Sequence, residues 1–199
     1  EKGARLILVA CNTASALALR ELQEKYLRDS GSKYRDRKIL GVIRPVVEQA
    51  VHESTNGRVG VVGTRGTIGS NAFEVELKNL RQDITITQQA CPLLVPLIEE
   101  HWHKKPEAKM VLRKYLRPLK SRHVDTLILG CTHYPLMMAD FKHIMGKRVK
   151  VLDSGKIVAE SLVKYLERHP EIEKQLSRGS TREFFTTDSA DKFEEFGKL

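Results

Sequence analysis

Two of the three cysteines stand at the ends of similar aliphatic runs, each of which begins with Leu-Ile-Leu. Cys11 ends the run LILVAC and is followed by an asparagine and a threonine, whereas Cys131 ends LILGC and is followed by a threonine and His133. A deprotonated thiol is a strong nucleophile and base, and an imidazole two residues away could exchange a proton with it. The chain thus carries one candidate reactive thiol near its start and another in its second half.

Two thiols of this kind suit a proton transfer on both faces of one carbon centre. A thiolate could remove the proton from one face, and a thiol could deliver a proton to the other. A cysteine hydrolase would instead need a single cysteine, a histidine base and an oxyanion hole. Either cysteine alone fits a buried packing residue, but the repeated polar residues after both cysteines favour a shared cleft.

Three other patterns predict no separate chemistry. Cys91 precedes a proline and an apolar run, which indicates packing. His101 and His103 have no further ligand nearby in the sequence, so we expect no metal site. Glycines at positions 60, 63, 66 and 69 match neither dinucleotide-binding nor P-loop spacing, although amides at a helix start there could bind a small carboxylate.

The elements that position these residues alternate between strands and helices. Continuous apolar strands between amphipathic helices predict an α/β fold with parallel sheets covered on both faces. The predicted strands are residues 6–10, 58–63, 84–87, 126–129, 149–152 and 183–186. The predicted helices are residues 13–28, 68–80, 94–101, 104–122, 137–145 and 156–167, with Ser154 as a candidate cap of the last. Both cysteines then lie at carboxyl ends of strands, where open α/β sheets bind ligands.

Polar segments at residues 29–38 and 146–148 are candidate linkers. They predict a first, discontinuous α/β domain of residues 1–40 plus 149–199. Residues 41–148 would form the second α/β domain.

The cysteine motifs also carry a resemblance. ACNTASA (residues 10–16) and GCTHYPL (residues 130–136) resemble the two signature motifs of glutamate racemase, in the aspartate/glutamate racemase superfamily. GTRGTIGS (63–70), ACPLLVPLIE (90–99), VLDSG (151–155) and FTTD (185–188) resemble further landmarks of that family. Aspartate racemases tend to carry glutamate where this chain has His133.

The resemblance implies a fold of two α/β domains related by a pseudo-two-fold axis, with the active site in the cleft between them. It implies cofactor-independent, metal-free, two-base interconversion of L- and D-glutamate, supplying the D isomer for peptidoglycan, and a homodimer in the full-length form. The roles carried over are: Cys11 and Cys131 as acid/base thiols, His133 assisting Cys131, Glu99 orienting His133, and Asn12, Thr13, Thr64, Thr67 and Thr132 binding substrate.

One departure from the family concerns its N-terminal segment, whose Asp-Ser-Gly and Tyr-Gly motifs do not occur ahead of Cys11. We therefore expect residues 1–199 on their own to be impaired. We also expect the first domain to expose a sheet edge.

The charge distribution leaves a second hypothesis open. The net charge is +9, and residues 104–122 hold eight Lys/Arg against one acid. This amphipathic segment could be a solvated helix face, or could bind a polyanion or a protein; nucleic acid is not expected, because interleaved aromatic residues are missing. Racemisation of another small amino acid is a third hypothesis. Three scattered cysteines and no apolar run of 18 residues predict a cytoplasmic protein without a membrane span.

Overall fold

The computed structural model describes residues 3–29, 31–179, 181–187 and 189–197. These residues contain six strands. They are β1 (Leu6–Val9), β2 (Lys38–Gly41), β3 (Arg58–Gly63), β4 (Thr85–Ala90), β5 (Thr126–Gly130) and β6 (Lys150–Val151).

The strands form two parallel sheets. The larger has the order β4-β3-β5-β6, and the smaller pairs β1 with β2. β5 is buried along its whole length, as a central strand covered on both faces should be. The register pairs Gly63 with Gly130, so the carboxyl ends of β3 and β5 lie side by side.

The helices are short except for two. They are α1 (Asn12–Leu17), α2 (Leu19–Gln23), α3 (Ile43–Glu53), α4 (Arg65–Gly69), α5 (Ala72–Leu80), α6 (Leu94–Glu99), α7 (Pro106–Ser121), α8 (Met138–Met145), α9 (Ser154–Arg168), α10 (Pro170–Glu173) and α11 (Ala190–Gly197). A π-helical segment, Glu24–Arg28, continues α2, and 3₁₀ turns cover Trp102–Lys104 and Tyr134–Met137. None of the helices in the described ranges has the length and apolarity needed to cross a bilayer.

Two hydrophobic cores cover opposite faces of the larger sheet. One packs Leu112 and Leu116 of α7 and Phe141 of α8 against β5. The other packs Val47 of α3 and Leu77 of α5 against β3 and β5. Helices on both faces hold the sheet, and with it the strand ends where the chemistry is expected.

The predicted α/β class with parallel, helix-flanked sheets is confirmed. The predicted strand at residues 183–186 is wrong, since those residues are irregular and pair with no strand in the described part of the chain. The helix predicted over residues 68–80 is broken at Asn71, whose φ of 56° separates α4 from α5. The segment predicted as one helix over residues 13–28 is divided between α1, α2 and the π-helical turn.

The domain division stays a prediction. In the linker expected at residues 29–38, the described residues 29 and 31–37 belong to no helix or strand, and β2 begins at Lys38. Beyond the boundary expected at residue 149, β6 pairs with β5 in the larger sheet, and α9 packs on α3.

Candidate active site

Cys131 lies directly after β5 and is only 7% exposed. The preceding residue must be small, because a Cβ on Gly130 would come within 2.9 Å of the Val62 carbonyl oxygen. The 3₁₀ turn that begins at Tyr134 then carries the chain away from the sheet. The sequence thus ends a buried strand at a thiol and turns sharply, which leaves the thiol at the rim of the sheet.

Three side chains form a line at this rim. The Cys131 Sγ atom lies 3.8 Å from His133 Nδ1. On the other side of the imidazole, Nε2 lies 3.0 Å from Glu99 Oε1. A carboxylate only accepts hydrogen bonds, so in the neutral imidazole Nε2 carries the ring proton and Nδ1 is an acceptor that faces the thiol.

The environment of Cys131 opposes ionisation. Burial raises the pKa of the Cys131 thiol, and the charges of Cys11 and Glu99 act in the same direction. Backbone hydrogen bonds from His133 and Tyr134 offset part of that effect on the pKa. The thiol therefore favours its protonated form and would need a base to release its proton, a role that His133 Nδ1 has the geometry to fill.

Cys11 lies between β1 and α1 and is exposed. Thr13 of α1 contacts Thr64 just after β3, and the end of β3 pairs with the end of β5, so the turn that carries Cys131 lies near the segment that carries Cys11. The residue after it, Asn12, is buried. The structure thus brings the two halves of the repeated motif to one place, although they are 120 residues apart.

Three threonine hydroxyls connect the Cys11 segment to the larger sheet. Thr13 Oγ1 lies 2.9 Å from the Oγ1 atoms of both Thr64 and Thr67, and those two oxygens are 3.1 Å apart. The Thr64 hydroxyl also accepts a hydrogen bond from the Thr67 amide and thereby caps α4. Three hydroxyls within hydrogen-bonding distance of one another form a compact group able to bind a small polar molecule.

Thr132 is exposed beside the same imidazole, with Oγ1 3.5 Å from His133 Nδ1. All nine residues predicted to take part in the site therefore lie in three segments: α1 with the residue before it, the loop and helix after β3, and the turn after β5 with the end of α6. Their individual roles stay predictions.

Cys91 is part of the core, as its sequence context predicted. It is fully buried, and burial raises the pKa of its thiol to about 12. The hydroxyl of Tyr134 donates a hydrogen bond to the Cys91 carbonyl and so ties the turn after β5 to the end of β4.

His101 and His103 lie in different environments. His101 lies near Glu195, with the Nε2–Oε1 distance 3.8 Å, whereas His103 is buried. The residues that the structure describes contain no group of three or more His, Cys, Asp or Glu side chains placed to bind a metal.

The contacts of two serines that position parts of the site were not predicted from the sequence. Ser15 donates to the Val9 carbonyl and accepts from the Val42 amide, which ties α1 to the ends of β1 and β2. Ser154 donates to the Leu129 carbonyl, and the cap of α9 is Asp153, which accepts from the Lys156 amide. The predicted Ser154 cap is therefore wrong, and a serine or threonine one turn into a helix is the signal that could have located Ser15.

The profile of the Asp/Glu/hydantoin racemase family matches residues 1–162. The chain belongs to this family. A glutamate racemase of Oceanobacillus iheyensis is 37% identical over 198 residues, which cover 99% of this chain and 69% of that protein. A glutamate racemase of Chlorobaculum parvum is 36% identical over 195 residues, which cover 98% of this chain and 68% of that protein.

Solved structures of the Asp/Glu/hydantoin racemase family agree with the fold. A Bacillus anthracis glutamate racemase isoform superimposes with a TM-score of 0.84 at 34% identity, covering 98% of this chain and 69% of that one. The Francisella tularensis glutamate racemase in complex with D-glutamate gives a TM-score of 0.82 at 28% identity, covering 98% of this chain and 68% of that one. The predictions of family membership and of an isomerase of the racemase class are thereby confirmed.

Proposed function

We propose that this protein interconverts L- and D-glutamate without a cofactor, by proton transfer between Cys11 and Cys131. The observation that carries the proposal is the line from Cys131 through His133 to Glu99, with the segment that carries Cys11 joined to the neighbouring strand end by the contacts of Thr13. Relatives named glutamate racemase, one of them with D-glutamate bound, support glutamate as the substrate.

In the proposed reaction, a thiolate on one side of the substrate takes the α-proton, and the electron pair of the broken C–H bond stays on the substrate as a carbanion. The thiol on the opposite side then donates its proton to the other face of that carbon and becomes a thiolate. One thiol and one thiolate remain at the end, with their roles exchanged, so the same groups serve the reverse direction.

His133 has a defined part in this scheme. Its Nδ1 atom accepts the proton that buried Cys131 would otherwise hold, and it returns that proton when the thiol must act as an acid. Glu99 keeps the imidazole in the required tautomer by accepting from Nε2. We assign substrate binding to Asn12, Thr13, Thr64, Thr67 and Thr132. The hydroxyls of Thr13, Thr64 and Thr67 contact one another, and that of Thr132 lies beside the His133 imidazole.

Three broader features belong to the same proposal. The D-glutamate formed would enter peptidoglycan synthesis, and the full-length form would be a homodimer. The three free cysteines favour a reducing, cytoplasmic compartment.

Residues 1–199 on their own are expected to be poor catalysts. Strand β1, which precedes Cys11 and pairs with β2 in a two-stranded sheet, exposes Ile7 and Leu8, so little packing supports the segment that carries this thiol.

A substrate panel tests the proposal against racemisation of another small amino acid. Purified full-length gene product and residues 1–199 are each incubated with L-glutamate, D-glutamate, L-aspartate and L-alanine, and both isomers are quantified by chiral chromatography. We expect racemisation of glutamate alone, fastest with the full-length product. Faster conversion of aspartate or alanine than of glutamate by the full-length product would overturn the substrate assignment.

A further inference from the structure

A groove between α7 and α8 lies on the strongly basic segment that the racemase chemistry does not use. It has a volume of about 670 Å³, within the range of small-molecule sites. Its lining, which we call the basic groove, consists of Arg113, Arg117, Lys120, Ser121, His143 and Ile144.

Three cations of the basic groove lie on α7, a helix that is packed against the core. Arg113, Arg117 and Lys120 follow one another at intervals of four and three residues, so they share one face of α7. A neighbouring face of the helix is buried in the core, where Leu112 and Leu116 pack. The groove cations are therefore presented by a helix that cannot rotate without exposing its apolar side.

The second wall of the groove is held by an ion pair outside it. Lys109 of α7 lies 3.2 Å from Asp140, the acid in the first turn of α8. That pair fixes α8 against α7 and occupies the only carboxylate on α8. His143, one turn farther along α8, then faces the groove.

No carboxylate among the described residues pairs with a cation of the basic groove. Within the described part of the chain, the side chains of Arg113, Arg117, Lys120 and His143 make neither an ion pair nor a hydrogen bond. Positive charges held together without counter-charges repel one another, so a bound anion would relieve the repulsion.

We propose that the basic groove binds small molecules that carry two or more linked phosphate groups. Arg113 and Lys120 lie about 10 Å apart along the helix axis, so a row of linked phosphates can follow the three α7 cations more closely than a single phosphate can. Guanidinium groups bind phosphate oxygens through paired hydrogen bonds. Among the described residues, the lining contains no Phe, Tyr or Trp on which nucleic-acid bases could stack, which favours a small polyphosphate over a nucleic-acid strand.

Isothermal titration calorimetry tests the proposal with sodium tripolyphosphate as the probe and orthophosphate as the single-phosphate reference. We expect tripolyphosphate to bind at least about tenfold more tightly than orthophosphate, with affinity falling as KCl is added. The variant Arg113→Gln/Arg117→Gln/Lys120→Gln should bind tripolyphosphate about 100-fold more weakly, since three charged contacts are lost.

The matched control removes the same charge from outside the basic groove, as Lys104→Gln/Lys105→Gln/Lys114→Gln. It should keep affinity within about threefold, and thermal unfolding confirms that both variants are folded. Equal weakening in the two triple variants, or no weakening in the groove variant, would overturn the proposal. A single-stranded DNA oligonucleotide that binds more tightly than tripolyphosphate, with the same dependence on the groove residues, would show a nucleic-acid surface instead.

Discussion

At the residue scale, the position of each buried thiol separates a packing cysteine from a candidate acid/base. Cys91 and Cys131 follow strands of the same sheet, and burial raises the pKa of both thiols. Only Cys131 also has backbone hydrogen bonds that offset the effect of burial on its pKa, together with an imidazole 3.8 Å away. Cys131 can therefore exchange a proton with a neighbour, whereas the Cys91 thiol cannot.

Glu99→Gln tests the orienting role at this scale. The amide can donate to Nε2, which would favour the tautomer with the proton on Nδ1 and remove the acceptor facing Cys131. We expect kcat for glutamate racemisation to fall about 10- to 100-fold and KM to change little, and we expect His133→Asn to cost about 1000-fold.

The control is Glu100→Gln, since Glu100 is the next residue and is also exposed. Its kcat should stay at the wild-type value in the same chromatographic assay. Equal losses in the Glu99 and Glu100 variants would mean that the effect comes from general charge and not from the imidazole tautomer.

Part of the candidate site could be predicted from local sequence. Each cysteine and its polar followers are adjacent in the chain, so strand-end geometry brings them together. The Glu99–His133 contact joins residues 34 positions apart, and only the family resemblance suggested it. The contacts of Ser15 depend on how three elements meet, which no local pattern encodes.

At the element scale, the turn after β5 depends on the close approach of β3. Gly130→Ala should destabilise the protein by about 2 kcal/mol, because the new Cβ would lie 2.9 Å from the Val62 carbonyl oxygen and 3.1 Å from the Phe73 ring. Urea unfolding measures the change. Gly69→Ala is the control: nothing lies within 4 Å of that Cβ, and alanine favours the α4 conformation, so stability should be unchanged or slightly higher.

A second element-scale prediction concerns the opposite end of the sheet. The Asp125 carboxylate accepts hydrogen bonds from the Ser54 hydroxyl, the Thr55 amide and hydroxyl, and the Asn56 amide. Asp125→Asn should lower the free energy of unfolding by about 2 kcal/mol at neutral pH, because the amide group cannot accept all of these bonds. Asp83→Asn, at an exposed carboxylate, should leave the urea midpoint nearly unchanged.

The pH dependence follows from the same contacts. Burial acts to raise the pKa of Asp125, but hydrogen bonds from Asn56 and Ser54 outweigh it, so the pKa lies below its ordinary range. A lowered folded-state pKa gives stability that is present above the unfolded-state pKa and is lost as the pH falls through the folded one. The stability difference between wild type and Asp125→Asn should therefore shrink below about pH 4. A difference that stays constant down to pH 2 would contradict the ionic role.

Physical reasons explain why three local features of the structure were not predicted from the sequence. β2 begins with Lys38 at the end of a polar stretch and is only four residues long, so little periodicity marks it. Residues 183–186 carry two phenylalanines and fit a strand locally, but a strand forms only where a partner strand is available. The break at Asn71 is a left-handed residue inside an otherwise helical pattern, and asparagine tolerates that conformation without an obvious warning in the sequence.

At the scale of the whole molecule, two parallel sheets of different size meet where the two candidate acid/base cysteines lie. The threonine contacts between α1 and α4 join the Cys11 segment to the larger sheet, and α3 and α9 pack together beside it. The repeated strand–cysteine motif predicted this meeting, since the carboxyl ends of parallel strands carry the functional residues in such folds. The orientation of one sheet to the other follows from long-range packing, which the repeat does not determine.

The two-base transfer between Cys11 and Cys131 is tested most directly by isotope incorporation. L-Glutamate is converted by the full-length gene product in D₂O, and deuterium at the α-carbon is measured in both isomers at early times. We predict deuterium in newly formed D-glutamate and almost none in the remaining L-glutamate, because each face has its own base. Racemisation should be lost in both Cys11→Ser and Cys131→Ser. Early deuterium in both isomers, or a single cysteine variant that racemises at the wild-type rate, would contradict the mechanism.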